Sequence, residues 1–146
     1  MRRALLAIGA VAVLSVPVIA SAAGNQRVRF TSKVTGAGIS ANQSTYKVHD
    51  SHFGTGAGVQ TVVVKGSGGT DSEITYYGNA TARSKGTFKI GKPDASGVAP
   101  LTGSGHDFSG TGKARGLKST YTFSGTYNTK TSVFHVTLTG TYNLRR

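Results

Sequence analysis

Arg27-Val28-Arg29-Phe30-Thr31-Ser32-Lys33-Val34 sets large apolar groups between cations and hydroxyls. A two-residue period belongs to a strand, whose successive side chains leave opposite faces. Val28, Phe30 and Val34 are therefore expected in a core, and Arg27, Arg29, Thr31 and Lys33 in solvent. Similar short runs recur at 45–48, 58–65, 73–82, 87–90, 120–127 and 133–142, separated by clusters of Gly, Asn, Ser and Asp. With 21 Gly, abundant Thr and Ser, and few Leu beyond residue 23, the composition is poor in helix formers and rich in strand and turn formers. Seven or eight antiparallel strands would account for the chain.

The turns agree with that count. Flexible residues at 65–71 and 128–131 can close hairpins, so the simplest connectivity is a meander. The strongest breaker, Lys92-Pro-Asp-Ala-Ser-Gly97, joins two halves of one sheet in this reading, since no linker composition surrounds it. Tyr121-Thr-Phe-Ser-Gly-Thr-Tyr-Asn128 and Val136-Thr-Leu-Thr-Gly-Thr-Tyr-Asn143 share one pattern with a glycine inside each strand. Such glycines mark a bulge, a sharp coil of the sheet, or close packing against a backbone or ring. They suit a strongly curved sheet closed into a single β-barrel, which would also remove exposed edges.

The chain has 146 residues, 17 Lys+Arg against 5 Asp+Glu, and no Cys or Trp. It is sized for one domain, and it has neither a disulfide framework, thiolate metal sites nor a cysteine nucleophile. Residues 1–23 read as a Sec-type export signal: Arg2 and Arg3, an apolar run from Ala4 to Val16, Pro17, then Ala20-Ser21-Ala22-Ala23. Removing those 23 residues leaves 123, from Gly24 to Arg146, with 15 cations against 5 acids and a net charge of +10. The expected product is secreted or sits at the exterior of the cell envelope. The apolar run falls short of the roughly 20 residues a spanning helix needs, and no transmembrane segment is expected in the mature chain. A membrane barrel is disfavoured too, because cations occupy the non-core face of the clearest strand.

In the second half, Leu101-Thr-Gly-Ser-Gly-His-Asp-Phe-Ser-Gly-Thr-Gly-Lys-Ala-Arg-Gly116 is followed by Thr120-Tyr-Thr-Phe-Ser-Gly-Thr126. This resembles the Gly-Thr-Gly-Lys and Ala-Arg-Gly signature of the allene oxide cyclase and dirigent barrel superfamily. It departs from that pattern where Lys113 is followed at once by Ala114-Arg115-Gly116, without intervening aromatic and small residues. The resemblance implies an eight-stranded antiparallel barrel with an apolar cavity, often a homo-oligomer such as a trimer, that handles small hydrophobic ligands. It carries no catalytic residue across, because none of the five acids stands in a family context.

The candidate chemistry lies in two related segments. His49-Asp50-Ser51-His52 and His106-Asp107 each precede a Phe and a Gly-Thr-Gly stretch, which makes Asp50, His52, His106 and Asp107 the candidate acid/base residues. If Asp50 and Asp107 both lined a cavity, burial or mutual proximity would raise one of them towards neutrality. The competing structural role is turn capping by the aspartates, with the histidines as solvated loop residues. His49 and His52, three apart on a strand, point to opposite faces, and neither a metal site nor a cofactor is expected. Gly110 to Gly116 lacks Walker spacing and a following helix, and no nucleophile elbow is present. Tyr76 and Tyr121 are the candidate ligand-stacking residues, Tyr76 and Tyr77 falling on opposite faces. Arg27, Arg29, Lys33, Lys113, Arg115 and Lys118 are candidate contacts for an anionic surface or polysaccharide, while specific nucleic-acid recognition is disfavoured because the cations are spread.

The leading expectation is an exported, non-catalytic barrel that binds a small hydrophobic molecule inside or acts at the cell surface. The alternatives are an isomerase or cyclase of the resembled kind and a basic polyanion- or envelope-binding module.

Overall fold

The computed structural model describes residues 24–145, so the export signal expected at 1–23 lies outside the described residues. Eight strands follow one another: β1 (Gln26–Ser40), β2 (Gln43–Asp50), β3 (Gly54–Lys65), β4 (Gly68–Tyr77), β5 (Ala80–Ile90), β6 (Val98–Gly112), β7 (Lys118–Asn128) and β8 (Val133–Leu144). Each pairs antiparallel with the next and β8 pairs with β1, giving a closed all-β meander barrel. Among the described residues no helix is long and apolar enough to cross a membrane.

The alternation of β1 holds as far as Gly36. Phe30, Ser32 and Val34 are buried while Arg27, Arg29, Thr31 and Lys33 are exposed. The strands run longer than the runs read from the sequence, and two assignments differ in kind. The run 73–82 is not one strand, because Gly78 and Asn79 form a tight connection that ends β4 at Tyr77 and starts β5 at Ala80. The glycine-rich stretch given no strand of its own is β6, one of the two longest. Its inward positions include Gly103 and Gly105, so the apolar period that betrays other strands is absent from it. An irregularity in its pairing with β5 leaves Phe108 as the extra residue of a bulge, after which the alternation resumes one position later.

The missing side chains of those glycines are replaced by rings from the neighbouring strand. Gly103 pairs directly with Phe123 and Gly105 with Tyr121 across β6 and β7. A Cβ on Gly103 would come within 2.3 Å of the Phe123 ring. The same pairing joins Gly58 to Tyr46, Gly36 to Phe134 and Gly140 to Phe30, each ring lying where a Cβ would otherwise project. An aromatic over a cross-strand glycine fills the barrel while letting the sheet coil tightly.

The two ends of the barrel differ. At one end the loop after β6 turns inward through Gly112 and Gly116, both with left-handed φ (57° and 73°) that a side chain would strain. It inserts Ala114 and Leu117, both 0 % exposed, into a cluster with Phe30, Ala80, Ala82, Tyr121 and Tyr142. Phe53, from the turn between β2 and β3, packs against the same cluster. At the other end Val34, Tyr46, Val48 and Phe134 form a second cluster that leaves the barrel mouth open above it.

Candidate functional site

The strand period aims four of the five acids into the barrel: Asp50 from β2, Asp71 and Glu73 from β4, and Asp107 from β6. Only Asp94 lies outside, in the exposed turn of the β5–β6 connection, where bonds from Ser96 and Val98 hold its carboxyl below the usual range. Tyr46, Tyr77, Tyr121 and Tyr142 also point inward, and burial raises the phenol of each above its ordinary value.

Under the open mouth lies a cavity of about 160 Å³. Its walls are mostly apolar, with Val62, Val64, Phe88, Leu101, Phe134 and Val136 among them, and its polar side is made by Tyr46, Gln60 and Glu73. A cavity of about 40 Å³ sits deeper, lined by Phe30, Thr75, Tyr77, Asp107 and Tyr142 among others. Val34, Tyr46, Glu73, Tyr121 and Leu138 border both, so this layer divides the mouth from the interior. Among the described residues, no Lys, Arg or His lines either cavity.

Tyr46 and Glu73 of this layer belong to a connected polar group. Gln60 Nε2 donates to Glu73 Oε1 at 3.1 Å and, more weakly, to Asp71 Oδ2 at 3.4 Å. Tyr46 OH donates to Glu73 Oε2 at 3.1 Å and shares a 2.7 Å bond with Thr75 Oγ1. Asp71 is only 6 % exposed, and its Oδ1 has no hydrogen-bond partner. That oxygen lies 2.7 Å from where a Cβ on Gly86 would stand, so the glycine makes room for the carboxyl. Burial, reinforced by Asp71 beside it, pushes the Glu73 carboxyl well above the usual carboxylate range, while the bond from Tyr46 opposes the rise. A carboxyl so placed can hold a proton at the cavity floor, give it to a bound molecule, or receive a cationic group.

Of the candidates read from the sequence, Asp50 and Asp107 face the interior and His52 and His106 are exposed. Asp50 is 1 % exposed and fully engaged: Oδ1 accepts the His52 and Phe53 amides, both at 2.8 Å, and Oδ2 accepts Tyr142 OH at 2.7 Å and Ser32 Oγ. It caps the turn after β2 and ties β1, β2 and β8 together. His52 is exposed in that turn and packs its ring on Phe53. His106 lies on β6, not on a loop, and faces solvent while Asp107 faces the interior, as adjacent strand residues must. The side chains of His106 and Asp107 therefore leave β6 on opposite faces. Asp107 is pushed up to about 6 by burial, helped by the nearby Asp50 charge, against a bond from Ser119 and the influence of His106. Among the described residues no three His, Cys, Asp or Glu side chains come together to hold a metal ion.

Of the two tyrosines, Tyr121 borders both cavities whereas Tyr76 stands on the outer face at 53 % exposure and cannot reach them. The group of Gln60, Asp71, Glu73 and Tyr46 escaped the sequence reading for a physical reason. On β4 the apolar Ile74 and Tyr76 occupy the outward parity and the acids the inward one, so hydrophobicity points the wrong way. The cations Arg27, Arg29, Lys33, Lys113, Arg115 and Lys118 are all exposed. Arg27 and Lys118 flank Asn143 from either side, Arg29 is one strand position further along that face, and Lys113 and Arg115 occupy the adjoining loop.

The chain matches no protein-family model, no curated protein and no solved structure at a significant level.

Proposed function

We propose that this protein binds a small hydrophobic molecule in the mouth of its barrel, without transforming it. The observation that carries the reading is the cavity of about 160 Å³, apolar on most sides and reached from the open end. Ligand sites are typically concave, mainly apolar, and furnished with few polar groups that orient the guest. Here Tyr46, Gln60 and Glu73 are those groups. A cavity of about 150 Å³ accommodates a benzene-sized molecule, so a single ring or a short branched chain is the fitting scale. The barrel rigidly fixes the walls through paired strands, which lowers the ordering cost of binding.

The test is an NMR titration of the chain with toluene, reading methyl resonances. Val62, Val136 and Leu138 should shift in a saturable manner, and Val136→Phe, which fills the mouth, should abolish the response. Shifts confined to outward residues such as Val59 and Val63, or no shifts, would refute the reading.

A second reading, attachment to an anionic surface or polysaccharide, is favoured by one observation, the clustering of Arg27, Arg29, Lys113, Arg115 and Lys118 around the plugged end. Adjacent cations attract polyanions with a strength that falls as salt is added. Binding to heparin should weaken steeply with salt and lose part of that dependence in the Arg27→Ala/Lys118→Ala double variant. Absence of binding at low salt would dismiss it.

A further inference from the structure

We propose that the molecule held in the barrel mouth is an amine: a small hydrophobic group bearing one ammonium, which docks on Glu73 with Asp71 behind it. The inference rests on the reading of the mouth cavity as a binding site and specifies the chemistry of its guest.

Three observations converge on a cation. Glu73 borders the mostly apolar cavity, and Asp71, joined to it through Gln60, stands behind it as a second carboxyl. Buried carboxyls are ordinarily matched by a cation or by a full set of donors. Neither holds here, because Asp71 Oδ1 is buried without a partner and no Lys, Arg or His among the described residues lines the cavity. The contrast with Asp50, whose two oxygens accept four bonds, shows that the same barrel can satisfy an inward carboxylate completely where its role is structural. An ammonium brings the positive charge and the several N–H donors that the Glu73 and Asp71 side lacks, while its apolar part lies among Val62, Val136 and Leu138.

The organic nature of the cation follows from the donor set. A hard divalent metal completes its shell with waters and carbonyl oxygens, which the apolar walls of this cavity do not supply, and no three His, Cys, Asp or Glu side chains come together among the described residues. The chain's formal net charge of +12 also works against indiscriminate attraction of cations, so a preference for an amine must arise locally.

The deciding experiment compares three guests of one shape by calorimetry on the folded chain: 2-phenylethylamine, 2-phenylethanol and 3-phenylpropionate. The amine should bind at least tenfold more tightly than the alcohol, and the carboxylate most weakly. Glu73→Gln should erase the amine's advantage over the alcohol. Equal affinities for amine and alcohol, or an advantage that survives Glu73→Gln, would overturn the amine assignment and leave the hydrophobic cavity standing. Failure of all three guests, together with toluene, would overturn the cavity reading and this inference with it.

Discussion

Replacing Asp107 by Asn should make the protein more stable at neutral pH and less responsive to acid. Burial raises the Asp107 carboxyl from an ordinary 3.8 to about 6, and the nearby Asp50 charge adds to the rise. The folded state therefore binds a proton more tightly than the unfolded chain does. The associated stabilisation is complete below about pH 3.8 and is lost as pH rises through about 6. At about 1.4 kcal/mol per tenfold change in proton affinity, that difference corresponds to about 3 kcal/mol. Urea denaturation of both proteins between pH 3.5 and 8 measures it. Asn keeps an oxygen to accept the Ser119 hydroxyl and carries no charge to desolvate, so relative to the variant the wild type should lose about 3 kcal/mol across that interval. The exposed Asp94, whose lowered carboxyl acts oppositely, cancels in the comparison, whereas the Asp107 charge also helps to raise Glu73, so its removal relaxes the Glu73 carboxyl and adds to the difference with the same sign. A difference that does not change with pH, or a variant less stable than wild type at pH 8, would refute the assignment of Asp107 to the dry interior.

Two further substitutions probe the packing. Phe30 is buried, stacks on Tyr142 at 3.9 Å between ring centroids and meets Tyr121 edge-on at 6.4 Å, so Phe30→Ala should destabilise the fold by about 3 to 5 kcal/mol in the same urea assay. A loss below about 1 kcal/mol would mean the ring has been assigned to the wrong cluster. Gly58→Ala places a methyl 2.2 Å from the Tyr46 ring, which should cost about 1 to 3 kcal/mol and, by displacing Tyr46 from Glu73, also perturb toluene binding. Unchanged stability and unchanged binding would show that Tyr46 does not lie over β3.

The sequence is most transparent where inward residues are large. β1 is legible because Phe30 and Val34 alternate with cations, and the barrel class follows from repeating that pattern between glycine-rich turns. β6 is opaque because Gly103 and Gly105 hold its inward positions, and the rings that fill them belong to β7, fifteen or more residues away in sequence. The candidate site is harder still. Asp50 and Asp107 could be singled out beside histidines, and both are inward, yet the strand period that buries them turns His106 away and leaves the His52 ring exposed in the adjoining turn. Glu73 and Asp71 carry no motif, and on their strand the outward Ile74 and Tyr76 are the more hydrophobic residues. In a barrel whose interior is partly acidic, polarity ceases to report which face is in; only the pairing of whole strands decides it.

The rings laid over cross-strand glycines bear on how the chain finds its register. A slip of one residue turns a strand inside out and is rejected by the exchange of core for solvent. A slip of two residues is more dangerous, since it preserves both the alternation and the ladder of backbone bonds. Between β6 and β7 such a slip sets either Tyr121 opposite Asp107 or Phe123 opposite Leu101, and between β1 and β8 it sets Phe30 opposite Leu138 or Tyr142. The glycines thus act as keyed slots, proofreading strand alignment at the step where β8 must meet β1 across the full length of the folded chain.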